Sequence, residues 1–471
     1  MELMLDSALN ISRVGKLYLR QHKPRIHPEP VLVPDSFVDG AGTSMYGTVL
    51  RDGGCLRMWY QAWPKDWNGS NTDLVGYAES DDGIEWRKPR LGLVEYHGKD
   101  NNLVDLSGHP PTIFIDPEAP LSHRYRATMC TGGSTHQGAS RGLKVNGYYT
   151  AHSADGLHWT YDQDTPRWPH ADVITSIYHP GQRRGIAAMK STPFVNGIPR
   201  RSVWTADLIK GVWSDAHAAL LPDEFDDIGA VARGYVSGDY YGMGLMPAGT
   251  GTVGFLWQFR HSLPRTQGDG TGVFGATDVS LVYQVAPGDR WLHMPGRPDF
   301  ISHLDPPWAH GGIYTASCPV DVGDEQRLYF CSATESHGWY VNDQWQINDT
   351  LKQDLIDRGM ARIGFASWPN SRLFSLNADP EGIVSLGRQP PMHPARLILN
   401  AKVRPGGSIR AEIPDAPGYE LNATVPITGD HLAIPVAWRQ GTRLPAGTGA
   451  ASRINLHLDR AELFAYEFRP E

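Results

Sequence analysis

An all-β chain, a five-bladed β-propeller followed by a C-terminal β-sandwich, is what this sequence predicts, and three observations lead there. The stretch Tyr77-Ala78-Glu79-Ser80-Asp81-Asp82-Gly83-Ile84-Glu85-Trp86 returns as Tyr149-Thr150-Ala151-His152-Ser153-Ala154-Asp155-Gly156-Leu157-His158-Trp159, and in weaker form ahead of Trp213, Trp291 and Phe374. The average spacing is about 72 residues, which suits four-stranded sheets with generous loops. Asp-Gly between β-prone runs is a hairpin signal because the turn needs positive φ, and 51 Gly with 36 Pro fit a turn-rich fold.

The elements follow in order. Pro24 through Pro34 reads as an extended lead-in that adds a strand to the last blade and hides its edge. Blade one takes Tyr46 to Leu50, a turn at Arg51 to Gly54, Leu56 to Tyr60 and the opening motif. Blade two takes Thr112 to Ile115, Tyr125 to Thr128 and Tyr148-Tyr149; blade three takes Val173 to Tyr178, Gly185 to Met189 and Arg201 to Trp204. Blade four is read as Ala230 to Val236, Tyr241 to Leu245, a long Gly-rich segment and Val279 to Tyr283. Blade five has Ile313 to Ala316, Arg327 to Cys331, a short helix over Leu351 to Arg358, and Ile363 to Leu376. Past Ser385 the aromatic motif stops. Leu397 to Leu399, Ser408 to Ile413, His431 to Trp438, Ile454 to Leu458 and Leu463 to Phe468 are short alternating runs between Gly and Pro, the pattern of a sandwich. The domains are expected over 1–380 and 381–471.

Composition narrows the function. A net charge of −8 without a basic stripe argues against nucleic acid as a partner. No apolar run of 18 residues and no charged-then-apolar leader occurs, so a soluble, cytoplasmic protein is expected. Cys55, Cys130, Cys318 and Cys331 lack metal-ligand spacing and are expected as free thiols, with Cys318 and Cys331 placed to face each other on a hairpin. The 15 Trp and 19 Tyr supply flat apolar faces of the kind on which sugars stack, although most are expected to fill sheet interfaces.

Asp35 to Trp59, Val75 to Asn102 and Arg453 to Phe468 resemble glycosyl hydrolase family 32-like and 43-like proteins. Inside the second stretch the resemblance is carried by Glu85-Trp86-Arg87-Lys88-Pro89-Arg90-Leu91-Gly92-Leu93-Val94-Glu95-Tyr96 and Asp100-Asn101-Asn102. It implies a five-bladed propeller, a jelly-roll-like C-terminal sandwich and glycosidic bond cleavage.

Such cleavage uses two carboxyl groups, one protonating the leaving oxygen and one acting as nucleophile or base. In a propeller they converge where the first strands begin, so Asp81-Asp82, on an outer hairpin, reads as a turn former. Asp39, in Phe37-Val38-Asp39-Gly40, resembles the family's blade-one carboxylate and is the expected base or nucleophile; a loop cap is the competing reading. His109 stands where an Arg-Asp-Pro motif would be expected, a departure from the family. Asp172 precedes blade three, and Glu224, Asp226 and Asp227 form an acid cluster before blade four, in which neighbouring carboxylates raise one another's pKa unless the loop is simply solvated.

Asp39, Asp172 and Asp227 are thus the expected acid/base set. Trp63, Trp67, His109, Glu224, Asp226, His310, His337 and Trp339 are the expected sugar contacts, with His136 and Arg141 on the same wall. The expected activity is hydrolysis of a terminal glycoside, a furanoside among the options, on a carbohydrate substrate and with neither cofactor nor metal. A glycoside phosphorylase, which would need an Arg, Lys or His cluster in the pocket, and a non-catalytic sugar-binding propeller are the alternatives. The oligomeric state stays open.

Overall fold

The computed structural model describes residues 2–4, 11–68, 74–133, 142–169, 172–264, 271–338, 348–386, 394–414, 416–445 and 453–470. Five antiparallel sheets follow one another along the chain. The first runs Gly42–Asp52, Cys55–Trp63, Leu74–Ser80 and Leu103–Ser107; the second His109–Ile115, Tyr125–Thr131, Gly147–Ser153 and Thr160–Tyr161. The third is built on Ile174–His179, Arg184–Ser191 and Ser202–Ile209, and the fourth on Ser237–Ala248, Gly251–His261 and Gly275–Gln284. The fifth holds Gly312–Thr315, Glu325–Ala333 and Ala361–Pro369, and Arg25–Ile26 pairs on its outer side.

The first strands of these sheets are joined in a closed cycle of hydrogen bonds. Thr48 Oγ1 accepts from the Ile113 amide at 2.9 Å, Thr112 Oγ1 meets Ser176 Oγ at 3.3 Å, and Thr175 Oγ1 donates to the Met243 carbonyl. The Leu245 amide donates to the Ser317 carbonyl at 2.7 Å, and the Ser317 amide returns to the Gly47 carbonyl at 3.0 Å. Short hydroxylated side chains let the strands approach closely while satisfying one another's buried polar groups.

The repeated motif forms a second kind of joint. In Ser80-Asp81-Asp82-Gly83, Asp82 Oδ1 accepts from the Ile84 and Glu85 amides; in Ser153-Ala154-Asp155-Gly156, Asp155 Oδ1 accepts from Leu157 and His158. Each turn then receives a hydrogen bond from an aromatic second-strand residue of the preceding sheet. Tyr329 donates to the Gly83 carbonyl at 2.7 Å and Trp59 to the Gly156 carbonyl at 2.8 Å. A Cβ at Gly83 would lie 2.3 Å from the Tyr329 hydroxyl, and at Gly156 2.8 Å from the Trp59 ring, so glycine is required for contact as well as for positive φ.

Three expectations are corrected. Ala230 to Val236 is not the first strand of the fourth sheet: Glu224–Val231 is a helix, α1, and the sheet opens at Ser237. Asp223 caps α1 and Asp226 reaches back to the Asp223 amide at 2.9 Å, a capping box written in the acid cluster itself. The first sheet's outer strand is Leu103–Ser107 and not the segment holding Trp86. Cys331 faces Tyr314 across its strand pair and not Cys318; all four cysteines are free.

A sixth sheet closes the chain, in the order Ile11–Gln21, Phe374–Leu386, Ile454–Pro470, Ala395–Glu412, Asp430–Pro435, with Glu2–Leu3 also on Ile454–Pro470. Residue 380 therefore falls inside a strand, and Ile11–Gln21, ahead of the Pro24–Pro34 lead-in, joins this sheet, while the lead-in itself pairs with the fifth sheet as expected. One expected turn is a bulge: the register shifts between Val403 and Ser408, where Gly406 takes positive φ, so runs read as separate strands are continuous. Leu376, Val384, Leu397, Leu456 and Trp438 form its core.

Candidate functional site

A cavity of about 220 Å³ opens where the first strands begin. Tyr46 of the first sheet, His109 of the second, Tyr241 of the fourth and Tyr314 of the fifth contribute to its lining. The phenols close its floor: Tyr46 packs 4.8 Å from Tyr314, which packs 5.5 Å from Tyr241, with Trp257 beneath at 5.7 to 5.9 Å. Burial pushes the Tyr46 hydroxyl well above its usual range, so it is a neutral donor and acceptor.

Two imidazoles stand on the wall. His109 Nδ1 donates to Gln61 Oε1 at 3.0 Å, which fixes its tautomer, and its ring meets Tyr46 edge-on at 4.7 Å. His337 Nδ1 donates to the Val273 carbonyl at 2.6 Å, and its Nε2 accepts from Tyr241 at 3.1 Å. Burial, followed by the Arg201 charge, lowers His337 to about 4, so it is neutral.

The third sheet contributes charge. Asp172, in a positive-φ conformation (φ 136°) unusual outside glycine, ion-pairs with Lys190. Lys190 Nζ lies 4.6 Å from the Tyr241 ring centre, and the Arg201 guanidinium lies over Tyr241 at 5.3 Å and Phe259 at 4.3 Å. Burial alone would raise the Asp172 pKa, but Lys190, His109 and Arg201 outweigh it and hold the carboxylate ionised. Asp172 and Lys190 stand behind Tyr241 and outside the lining; the carboxylate that lines the cavity is Glu335, held loosely by Arg358 at 3.3 Å.

Trp63 and Trp67 also border it, stacked at 5.6 Å with 8° between their planes. Trp67 is 4% exposed and packs on Ala41, Leu355, Ile356 and Met360, the middle two from helix α2 (Asp349–Arg358). Trp63 is the more open face.

The other expected residues lie elsewhere. Asp39 is 0% exposed and saturated: it accepts from the Ser36 amide and hydroxyl, from Tyr60 at 2.8 Å and from Lys88 at 2.6 Å, which matches the loop-cap reading. Asp227 pairs with Arg200 at 3.0 Å and accepts from the Gly238 amide. Asp226 is buried against Tyr240 and Arg297, and Glu224 is exposed on α1. The structure thus does not bring Asp39, Asp172 and Asp227 together. His310 is exposed and outside the lining; Trp339, His136 and Arg141 lie outside the described residues. Sequence reasoning missed Lys190, Arg201, Glu335 and the three phenols. The start of each first strand was a usable signal for the phenols; nothing local marked the others.

A larger groove of about 950 Å³ separates the fifth and sixth sheets, but its charges are mixed and it lacks the inward convergence of the smaller cavity. Among the described residues no helix is long and apolar enough to cross a membrane, which says nothing of β-barrels.

No family model matches the chain. The uncharacterized proteins MT1551 and Rv1502 of Mycobacterium tuberculosis are each 30% identical over 118 residues, 24% of this chain and 32% of theirs, so the match spans about a third of the length of these relatives. Similar solved structures include Bombyx mori GH32 β-fructofuranosidase BmSUC1, at 10% identity and TM-score 0.44 over 94% of this chain and 95% of that one. A structure described under GH130 mannoside phosphorylases and β-1,2-mannoside hydrolases gives 12% and 0.45 over 79% and 98%, and a glycoside hydrolase gives 13% and 0.46 over 73% and 92%. All three are glycoside-processing enzymes; none of the three scores reaches 0.5, so the chain's own residues carry the functional reading.

Proposed function

We propose that the five sheets between Arg25 and Pro369 form a five-bladed β-propeller, and that the sheet from Phe374 onward, completed by the N-terminal strands, belongs to a C-terminal β-sandwich. We further propose that the central cavity cleaves the terminal glycosidic bond of a small glycoside, a furanoside among the options. The observation that carries this reading is the convergence, at one cavity, of an indole face, three phenols and two oriented imidazoles, with the ionised Asp172 behind them on Lys190, which packs on the lining residue Tyr241. Indoles stack on sugar C–H faces, and polar groups fix the hydroxyls. A cavity of about 220 Å³ is below the roughly 300–1,000 Å³ of drug-sized sites and suits one terminal sugar. We assign Asp172 and Glu335 to the two carboxyl roles that cleavage requires. A cytoplasmic setting belongs to the same reading, since free thiols suit a reducing compartment.

The Lys190 and Arg201 cations favour a second reading, phosphorolysis, in which they would hold inorganic phosphate. A panel of aryl glycosides, assayed with and without phosphate beside direct sugar-binding measurements, tests both. Hydrolysis reduced roughly a hundredfold or more in Asp172→Asn supports the first. Strict phosphate dependence supports the second, and binding without any turnover rejects both in favour of a sugar-binding protein.

A further inference from the structure

Helix α1 is inside out. Its buried residues are Asp226 and Ala230, and Asp226 is anchored by Tyr240 at 2.6 Å and Arg297 at 2.9 Å. Phe225, Ile228 and Val231, at i, i+3 and i+6, form the opposite stripe and are 61, 62 and 61% exposed. A surface helix ordinarily turns such a stripe inward, so this face lacks the cover its composition calls for.

Two more exposed apolar side chains, Phe194 and Ile198, stand on the hairpin of Phe194–Val195 and Ile198–Pro199. Arg200, directly after the hairpin, fixes it to the helix through Asp227 at 3.0 Å and the Gly238 carbonyl at 2.6 Å. The five side chains expose on the order of 500 Å² of apolar surface, more than half of the roughly 800 Å² that each partner contributes to a standard interface.

We infer that this face is a two-fold interface with a second copy of the chain. The charge pattern favours that occupant: Glu224 is exposed at the N-terminal end of α1, and just past its C-terminal end Arg233, paired in its own chain with Asp299 at 2.8 Å, keeps about a third of its side chain exposed. Antiparallel pairing about a two-fold axis sets Ile228 near the axis, Phe225 against Val231 of the second copy, and Glu224 against Arg233 of the second copy, so that one patch complements itself. The contact would brace the loop carrying Arg200 and Arg201, beside the cavity but outside it. This inference stands apart from the glycosidase reading.

Sedimentation velocity of the full chain over a wide concentration range tests it. The expected species has twice the 52.0 kDa chain mass, and Ile228→Asp halves that mass with no loss of thermal midpoint. Should Ile228→Asp fold poorly, Phe225→Gln serves the same purpose. Glu224→Arg and Arg233→Glu each weaken the dimer, and combining them restores it. A wild-type chain that sediments as a monomer throughout overturns the inference, as does a dimer indifferent to all these changes. A monomer whose retention on immobilised glycan is lost in Ile228→Asp also overturns it and assigns the patch to a sugar chain.

Discussion

Lys88 reaches Asp39 with 2.6 Å between Nζ and Oδ2, and that pair takes out of the cavity a carboxylate that its sequence context placed there. The Lys88 side chain is 11% exposed and also touches Asp35, so the contact clamps the segment Arg87-Lys88-Pro89 onto the loop before the first sheet. Replacing Asp39 by Asn leaves a buried ammonium with the exposed Asp35 carboxylate and the Val33 carbonyl as its remaining partners. The expected result is a loss of about 1–3 kcal/mol in denaturant unfolding, with sugar affinity of the folded protein unchanged. Loss of affinity without loss of stability would return Asp39 to the chemistry.

Asp172 and Lys190 should behave differently. Asp172→Asn strands a nearly buried lysine and removes the ionised carboxylate, so stability and turnover both fall. Adding Lys190→Met is expected to recover most of the stability and none of the turnover. A double variant that regains turnover would show that the pair is only structural.

The two stacked indoles separate packing from recognition. Trp67→Ala, in a closed cluster, is expected to cost about 3–5 kcal/mol of stability. Trp63→Ala, at the cavity, is expected to cost less stability and at least tenfold in sugar affinity by calorimetry. Equal losses from both changes would reject a platform role for Trp63.

Acid should weaken the fold through its buried histidines. Burial lowers His337 and His293 to about 4 from the ordinary 6.5. Between those values the unfolded chain binds protons that the folded chain refuses, so stability declines as pH falls from about 6.5 to 4 and then levels off. His337→Gln removes one such proton, and the slope of unfolding free energy against pH over this window should become shallower by at most about 1.4 kcal/mol per pH unit. An unchanged slope would mean that His337 already titrates normally.

The repeat was legible in the sequence because the turn that marks it is tied locally, although the bond that joins it to the preceding sheet is not. In its two clear copies Ser-x-Asp-Gly ties its own turn with its own side chains, and the glycine serves both φ and contact, so both leave a readable mark. The fourth sheet was misread where Asp223 and Asp226 write a helix cap in the same letters as an acid cluster. Bulges hid in the same way, since Pro405-Gly406-Gly407 spells a turn whether or not the strand goes on.

Which acids share the cavity was decided by tertiary structure alone. Asp39, Asp172 and Asp227 each precede or lie near a first strand, yet a carboxylate's role depends on which cation reaches it. Lys88, Lys190 and Arg200 come from 49, 18 and 27 residues away in the chain. The sequence by itself determined the repeating sheets, because hydrogen bonds within one turn need only neighbours. Ring closure and the long-range ion pairs determined the site, because charge and burial act through space and are set by residues that no local pattern names.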